Sequence, residues 1–312
     1  MATRSQPISS RAKMAAIQSY TRVGSIQQAL AQMQRAAPFG NARLLAGGTD
    51  LLPQVHSGRA AGAALVDVSD VPELQGISAD GEQLRIGAAT KLADIVRSPF
   101  LTGGLRVLAD SAAQVGSVQV RHLATLGGNL CNASPSADTA PALLVLDAVV
   151  AIVSQAGERR LPLDRFFVGP GRTALQPGEL LAAILLPGRW REGAATYLKH
   201  APRAAMDLAV VGVAAAFSQK PNGSPEVRLA LGAVAPTPIR ARRAEAQLLS
   251  APAFDEQAIR EAAACAAAEA SPISDVRASA AYRRAMAALL VERALRLVLR
   301  GESIEQGRSR AS

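Results

Sequence analysis

Two segments of this chain run straight into a double glycine. Ala42 to Ala46 leads into Gly47-Gly48-Thr49-Asp50, and Gln119 to Leu126 leads into Gly127-Gly128-Asn129. Paired glycines let the chain turn sharply and let another group approach the backbone with no Cβ in the way. Several amide N–H groups can then converge on one spot, the arrangement that binds a phosphate. Thr125 and Asn129 add a hydroxyl and a carboxamide able to donate to phosphate oxygens. One such turn is more often only a tight turn. Two of them, about eighty residues apart, suit a fold that closes them on two phosphates. Neither Gly-x-Gly-x-x-Gly after the first strand nor Gly-x-x-x-x-Gly-Lys-Ser/Thr occurs, which disfavours the commoner nucleotide-binding folds.

The surrounding pattern is mixed. Val23, Ile26, Leu30 and Met33 recur at helical spacing between Arg22 and Arg35, with Ser25 as a cap, and Pro38-Phe39-Gly40-Asn41 ends that helix. Ala42 to Ala46, Ala64 to Val68 and Gln83 to Gly87 read as strands, and Ala93 to Val96 and Ser111 to Val115 as helical. Strands follow at Ala148 to Val153 and Glu179 to Leu186, and Pro187-Gly188-Arg189 makes a seam between domains. Beyond it, Thr196 to Lys199, Leu208 to Phe217 and Glu226 to Val234 read as strands, with a hairpin turn at Pro221-Asn222-Gly223. Asp255 to Ala270 and Ala280 to Leu299 are helical, and the tail after Gly301 reads as disordered.

At 312 residues the chain exceeds what one hydrophobic core usually fills, so two or three lobes are expected. Hydrophobic residues make up 49% of it but aromatics only 3%, so the core is built from Ala, Leu and Val. The longest apolar run, Pro141 to Val153, is broken by Asp147 and falls short of the roughly 20 residues a bilayer span needs. Met1 to Lys13 has neither an apolar segment nor a twin-arginine pair, which points to the cytoplasm. Two cysteines, Cys131 and Cys265, are too few for a disulfide framework or an iron–sulfur cluster, so any cluster this protein serves sits on another chain. His56, His122 and His200 have no metal-ligand spacing. The net charge of +9 is spread along the chain and aromatics are sparse, which argues for a solvated surface and against nucleic acid. Such a charge favours a phosphorylated ligand or an acidic partner protein.

Leu44-Leu45-Ala46-Gly47-Gly48-Thr49-Asp50-Leu51, together with the long segment Ala124 to Asp138, closely resembles the FAD-binding medium subunit of molybdenum hydroxylases, the group of xanthine dehydrogenase and aerobic CO dehydrogenase. Tyr197-Leu198-Lys199, Asp207 and the stretch Arg277 to Arg284 extend the resemblance over nearly the whole chain. It implies an α+β protein: a two-part FAD-binding domain of the vanillyl-alcohol-oxidase (PCMH) type at 13–189, a smaller sheet-plus-helices domain of the CO dehydrogenase flavoprotein type at 194–300, and a tail at 301–312. Carried over by position, Leu44 to Leu51 wrap the pyrophosphate from one side and Thr125, Leu126, Gly127, Gly128 and Asn129 from the other. Asp138 meets ribityl or ribose hydroxyls, Val115 lines the cofactor cleft, Leu181 packs on an apolar part of the cofactor, and Lys199 lies near the flavin; Tyr197, two residues earlier and so on the same strand face, can then cover a flavin ring. A cation there stabilises an anionic reduced flavin.

The resemblance further implies an iron–sulfur small subunit and a molybdopterin large subunit as partners, in a dimer of heterotrimers. Electrons pass from [2Fe-2S] clusters there, through FAD here, to NAD or a quinone. Xanthine, CO, aldehydes and aromatic N-heterocycles all remain open as substrates of the complex. A self-contained FAD oxidoreductase of the same fold is the alternative, and no His or Glu constellation supports it. Single residues have plainer readings too. Asp138 can cap the following helix, Lys199 and Tyr197 can be ordinary strand residues, and Cys131 reads as a small buried hydrophobe before it reads as a redox thiol.

Overall fold

The computed structural model describes residues 17–36, 42–203, 205–220 and 222–300. The expected break at Pro38-Phe39-Gly40-Asn41, residue Pro221 of the hairpin turn, the segment Met1 to Lys13 and the tail from Gly301 lie outside these residues.

The first lobe comprises β1 (Ser19–Arg22), α1 (Ile26–Ala36), β2 (Ala42–Leu45), α2 (Leu51–His56) and β3 (Ala64–Asp67). Its parallel sheet has the order β1-β3-β2. Ser25 does cap α1: its Oγ accepts from the Gln28 N–H at 3.2 Å. Ala29 and Leu30 of α1 pack with Val66, Val68 and Leu74 beneath the sheet.

The second lobe is larger. It contains β4 (Ile77–Asp80), β5 (Gln83–Gly87), α3 (Leu92–Arg97), α4 (Arg106–Ala113), α5 (Val118–Arg121), α6 (Leu126–Cys131) and α7 (Thr139–Val145). Then come β6 (Val149–Ser154), β7 (Gly157–Pro162), the small pair β8 (Phe167–Gly169) and β9 (Arg172–Thr173), and β10 (Leu180–Pro187). The main sheet is antiparallel in the order β4-β5-β10-β6-β7. Its central strand β10 is buried from Leu180 to Leu186, as expected for a strand covered on both faces. The helical reading at Ser111 to Val115 holds only as far as Ala113, the end of α4, which starts earlier at Arg106; Gln114 caps it and Val115 lies beyond it.

The third lobe holds β11 (Ala194–His200), β12 (Val211–Gln219), β13 (Pro225–Gly232), β14 (Ile239–Arg240), α8 (Arg242–Ser250), α9 (Glu256–Glu269) and α10 (Ala280–Arg300). Its sheet order is β11-β12-β13-β14. Both faces of β12 are buried. Val211, Val213 and Ala215 pack with Ala262, Ala266, Val291 and Leu295 of the helices, while Ala214 and Ala216 join the core of the second lobe. Alanines at these positions let helix and sheet approach closely, which is how so aromatic-poor a chain fills its core.

Two readings are corrected here. The strand expected from Leu208 begins only at Val211, and residues 205–210 form a loop in which Met206 has a positive φ of 57°. The strand expected to reach Val234 ends at Gly232, because Ala233 turns with φ 63°. The lobes are joined by ion pairs around Asp147, whose carboxylate accepts from Arg189 (2.6 Å), Arg228 (3.1 Å) and Arg240 (2.7 Å).

Candidate functional site

The three lobes enclose one cleft of about 680 Å³, a size typical of cofactor pockets. Its walls come from the end of β2, the turn between α4 and α5, the segment through α6 to Asp138, the start of β10 and the loop at Met206 to Leu208.

The first glycine turn lies against the chain leading into the second. A Cβ on Gly47 would stand 2.0 Å from the Leu123 carbonyl oxygen and 2.9 Å from Ala124 Cα, so only glycine permits that approach. Gly48 takes a left-handed φ of 69°. Strand alternation then sorts the leucines: Leu44 lines the cleft, whereas Leu45 turns inward against Ala63 and Leu65. Ala46, Gly47, Gly48, Thr49, Asp50 and Leu51 all line the cleft. Among the described residues, the amide N–H groups of Gly47 through Leu51 have no acceptor. Five consecutive donors are therefore available to a ligand, the donor set an anion requires.

The second glycine segment is built differently from the expected loop. It is the opening turn of α6, with Thr125 as N-cap and its Oγ1 accepting from the Gly128 N–H at 3.1 Å. The amides of Leu126, Gly127 and Asn129 are held by the carbonyls of Thr90, Ala88 and Thr125. From Leu126 to Asn129 every backbone donor is engaged, so these four residues do not form the second amide cradle expected from the sequence. Gly127 is glycine because a Cβ there would meet that of Ala88 at 2.6 Å. Leu126 is fully buried and points away from the cleft. The segment instead offers side-chain donors and space. The Thr125 hydroxyl keeps its proton free to donate, and Asn129 bonds Thr139 through its Oδ1 at 2.6 Å, leaving its amide nitrogen to the cleft. An added Cβ at Gly128, which is exposed on the cleft wall, would meet no atom within 4 Å except Thr125 Oγ1.

Asn132, Ser134, Ser136 and Asp138 continue the same wall. The third lobe braces them, since the Ala233 N–H donates to the Pro135 carbonyl at 2.7 Å. The Asp138 side chain makes no cap to α7. Its Oδ1 accepts from the Tyr197 hydroxyl at 2.7 Å and its Oδ2 from the Lys199 ammonium at 2.8 Å. Burial pushes the Asp138 carboxyl up, and Lys199 and the two hydrogen bonds pull against that shift. Burial, with the Asp138 charge beside it, holds the Tyr197 phenol well above its ordinary range.

Tyr197 is 2% exposed. It does not line the cleft and so cannot lie over a ring there. Lys199, expected near the flavin, does not line the cleft either; it lies behind Asp138, bonded to that carboxylate and to the Gln114 carbonyl at 3.2 Å. Val115 and Leu181 line the cleft with Leu44 and give it an apolar portion. Cys131 faces it too, but burial raises its thiol to about 12, which makes it inert.

Met206 and Leu208 were missed. Both are exposed hydrophobics on the cleft wall, and a Leu-Ala-Val run reads as strand, so no sequence signal marked them.

These residues fit a dinucleotide flavin: amide donors for phosphate, a carboxylate for hydroxyls and an apolar stretch for the ring system. Among the described residues no group of three His, Cys, Asp or Glu side chains could hold a metal ion, and no helix is long and apolar enough to cross a membrane. Residues 13–189 match the FAD binding domain in molybdopterin dehydrogenase. Residues 196–298 match the CO dehydrogenase flavoprotein C-terminal domain. The xanthine dehydrogenase FAD-binding subunit of Escherichia coli O157:H7 is 35% identical over 267 residues, 85% of this chain and 90% of that protein. The carbon monoxide dehydrogenase medium chain of Hydrogenophaga pseudoflava is 34% identical over 255 residues, 82% of this chain and 88% of that one. The solved carbon monoxide dehydrogenase of the same organism, in a form lacking the Mo-pyranopterin moiety of the molybdenum cofactor, superposes with a TM-score of 0.85 at 34% identity, covering 90% of this chain and 96% of that chain. With the cleft, the fold and these relatives in agreement, the chain belongs to the family of FAD-binding medium subunits of the molybdenum hydroxylases.

Proposed function

We propose that this chain is the electron-transfer subunit of a heterotrimeric molybdenum hydroxylase, receiving electrons from iron–sulfur clusters on a small subunit and releasing them by way of FAD to NAD or a quinone. The observation that carries this reading is the run of five free amides, from Gly47 to Leu51, in residues that line the same cleft as Asp138. FAD, when bound, supplies redox chemistry that no side chain here offers. The chain's own residues hold and orient. Amides 47–51 bind the pyrophosphate, the Thr125 hydroxyl and Asn129 carboxamide donate from the opposite wall, and Asp138 accepts from hydroxyls. Leu44, Val115 and Leu181 pack against the apolar part and exclude water, while Lys199 supplies a fixed positive charge. The FAD-holding unit is residues 13–189, and residues 194–300 form the domain that braces it.

Substrate oxidation belongs on this reading to a molybdopterin large subunit, in a cytoplasmic dimer of heterotrimers. Two cysteines cannot supply a cluster, and a net charge of +9 suits an acidic partner. The test is anaerobic addition of organic substrates to the chain alone and to the chain co-purified with its partners. Bleaching of flavin absorbance only in the assembled complex supports the proposal. Bleaching in the isolated chain overturns it in favour of a self-contained oxidoreductase.

A further inference from the structure

We propose that Tyr197 is a positioning residue of the cofactor cleft: from behind the wall its hydroxyl fixes the Asp138 carboxylate, which in turn fixes the Lys199 ammonium. The proposal rests on the reading of the cleft as the FAD site and adds to it a residue that never touches the cleft. Tyr197 and Lys199 are two apart on β11, so their side chains leave the strand on one face. They divide the carboxylate between them, the phenol on Oδ1 at 2.7 Å and the ammonium on Oδ2 at 2.8 Å. With a different donor on each oxygen, the carboxylate cannot rotate without losing both bonds. One lone pair on each oxygen stays available to a hydroxyl in the cleft.

A second observation is independent of these bonds. Gly212 faces Lys199 across the β11–β12 ladder, and a Cβ there would stand 2.7 Å from the Tyr197 hydroxyl oxygen and 3.3 Å from Cε2. Glycine inside a strand weakens it and commonly marks a place where another group comes close. Here the group is the phenol, and the recess is what lets it reach Asp138. A tyrosine serving only to fill the core would need neither the recess nor the hydroxyl. Phenylalanine keeps the ring and removes the donor, leaving Oδ1 in a buried place without that partner. The carboxylate is then free to turn toward Lys199 and away from the ligand.

The test uses the full chain as wild type, Y197F and G212A. Each is titrated with FAD, and the midpoint potential of the bound flavin is measured alongside. We expect the FAD dissociation constant to rise about tenfold in Y197F, the order set by one hydrogen bond to a charged group, and the midpoint potential to move from the wild-type value. G212A, which crowds the phenol, should change both in the same direction, and it decides the question if Y197F does not fold. Wild-type affinity and potential in Y197F would overturn the proposal, whatever its thermal stability. Failure of the wild-type chain to take up FAD would overturn the cofactor reading and this proposal with it.

Discussion

Alanine at Gly47 and alanine at Gly128 should fail in opposite ways, because one glycine serves the chain and the other serves the cleft. At Gly47 the added carbon would lie 2.0 Å from the Leu123 carbonyl oxygen, 2.6 Å from its carbon and 2.9 Å from Ala124 Cα. All three are backbone atoms, so no rotamer change relieves the clash, and the first turn must move off the segment that leads into α6. Overpacking of that kind costs about 3 kcal/mol, the upper end for inserted methylenes, a large part of the 5–15 kcal/mol that typically holds a domain together. At Gly128 the new carbon meets only Thr125 Oγ1, at 2.8 Å. Replacing a helical glycine gains up to about 1 kcal/mol of propensity, which offsets the strain on the cap, so stability should change by less than about 1 kcal/mol. The carbon nevertheless occupies the cleft wall between Thr125 and Asn129, and FAD affinity should fall about tenfold or more, since 1.4 kcal/mol of lost contact suffices. Urea unfolding of the FAD-free chains and fluorescence titration with FAD measure the two quantities separately. A G47A chain as stable as wild type, or a G128A chain that loses stability but binds FAD normally, would refute the assignment of these two roles.

Cys131, with its thiol raised to about 12, should have a thiolate fraction on the order of 10⁻⁴ at pH 8 and escape iodoacetamide in the native chain while reacting once unfolded; mass spectrometry of the digested chain checks this, and rapid native labelling contradicts it. Asp147→Ala removes the acceptor shared by Arg189, Arg228 and Arg240. It should cost about 2 kcal/mol in urea unfolding, below the 3–5 kcal/mol of a fully buried pair, because Asp147 is partly exposed and Arg240 keeps Glu245 at 2.7 Å. The Arg283 hydrogen bond, above all, pulls the Asp275 carboxyl down to about 2. A depressed carboxyl stabilises the fold above its ordinary pKa, and that contribution disappears as pH falls through the native value. The stability gap between wild type and D275N should therefore be constant above about pH 5 and close between roughly pH 4 and 2; a gap that stays open at pH 2 contradicts the assignment.

The pairing of two glycine turns in one cleft was legible because glycine before a helix or at a close approach has few other uses. What α6 does with its glycines was not. Gly127 and Gly128 disfavour a helix by propensity, yet the Thr125 cap and the carbonyls of Ala88 and Thr90 hold the turn helical, and neither carbonyl is local to it. The inward turns of Leu45 and Leu126 followed from alternation and from burial that only the tertiary fold decides. Period-two spacing put Tyr197 and Lys199 on one face of β11, but could not say that α4 and Asp138 would cover that face. The unbroken small apolar run from Val211 to Ala216 was a usable sign that β12 is covered on both sides. Nothing local marked Met206 and Leu208, whose place on the cleft wall depends on a loop turning at Met206.

The most direct test of the central claim is an absorption spectrum of the purified chain, before and after supplying FAD, with identification of the chromophore that acid releases. The account predicts a flavin spectrum whose released chromophore is FAD, reversibly bleached by dithionite and lost together with binding when Gly128 carries a larger side chain. A colourless chain that takes up no FAD, alone or assembled with its partners, would contradict it.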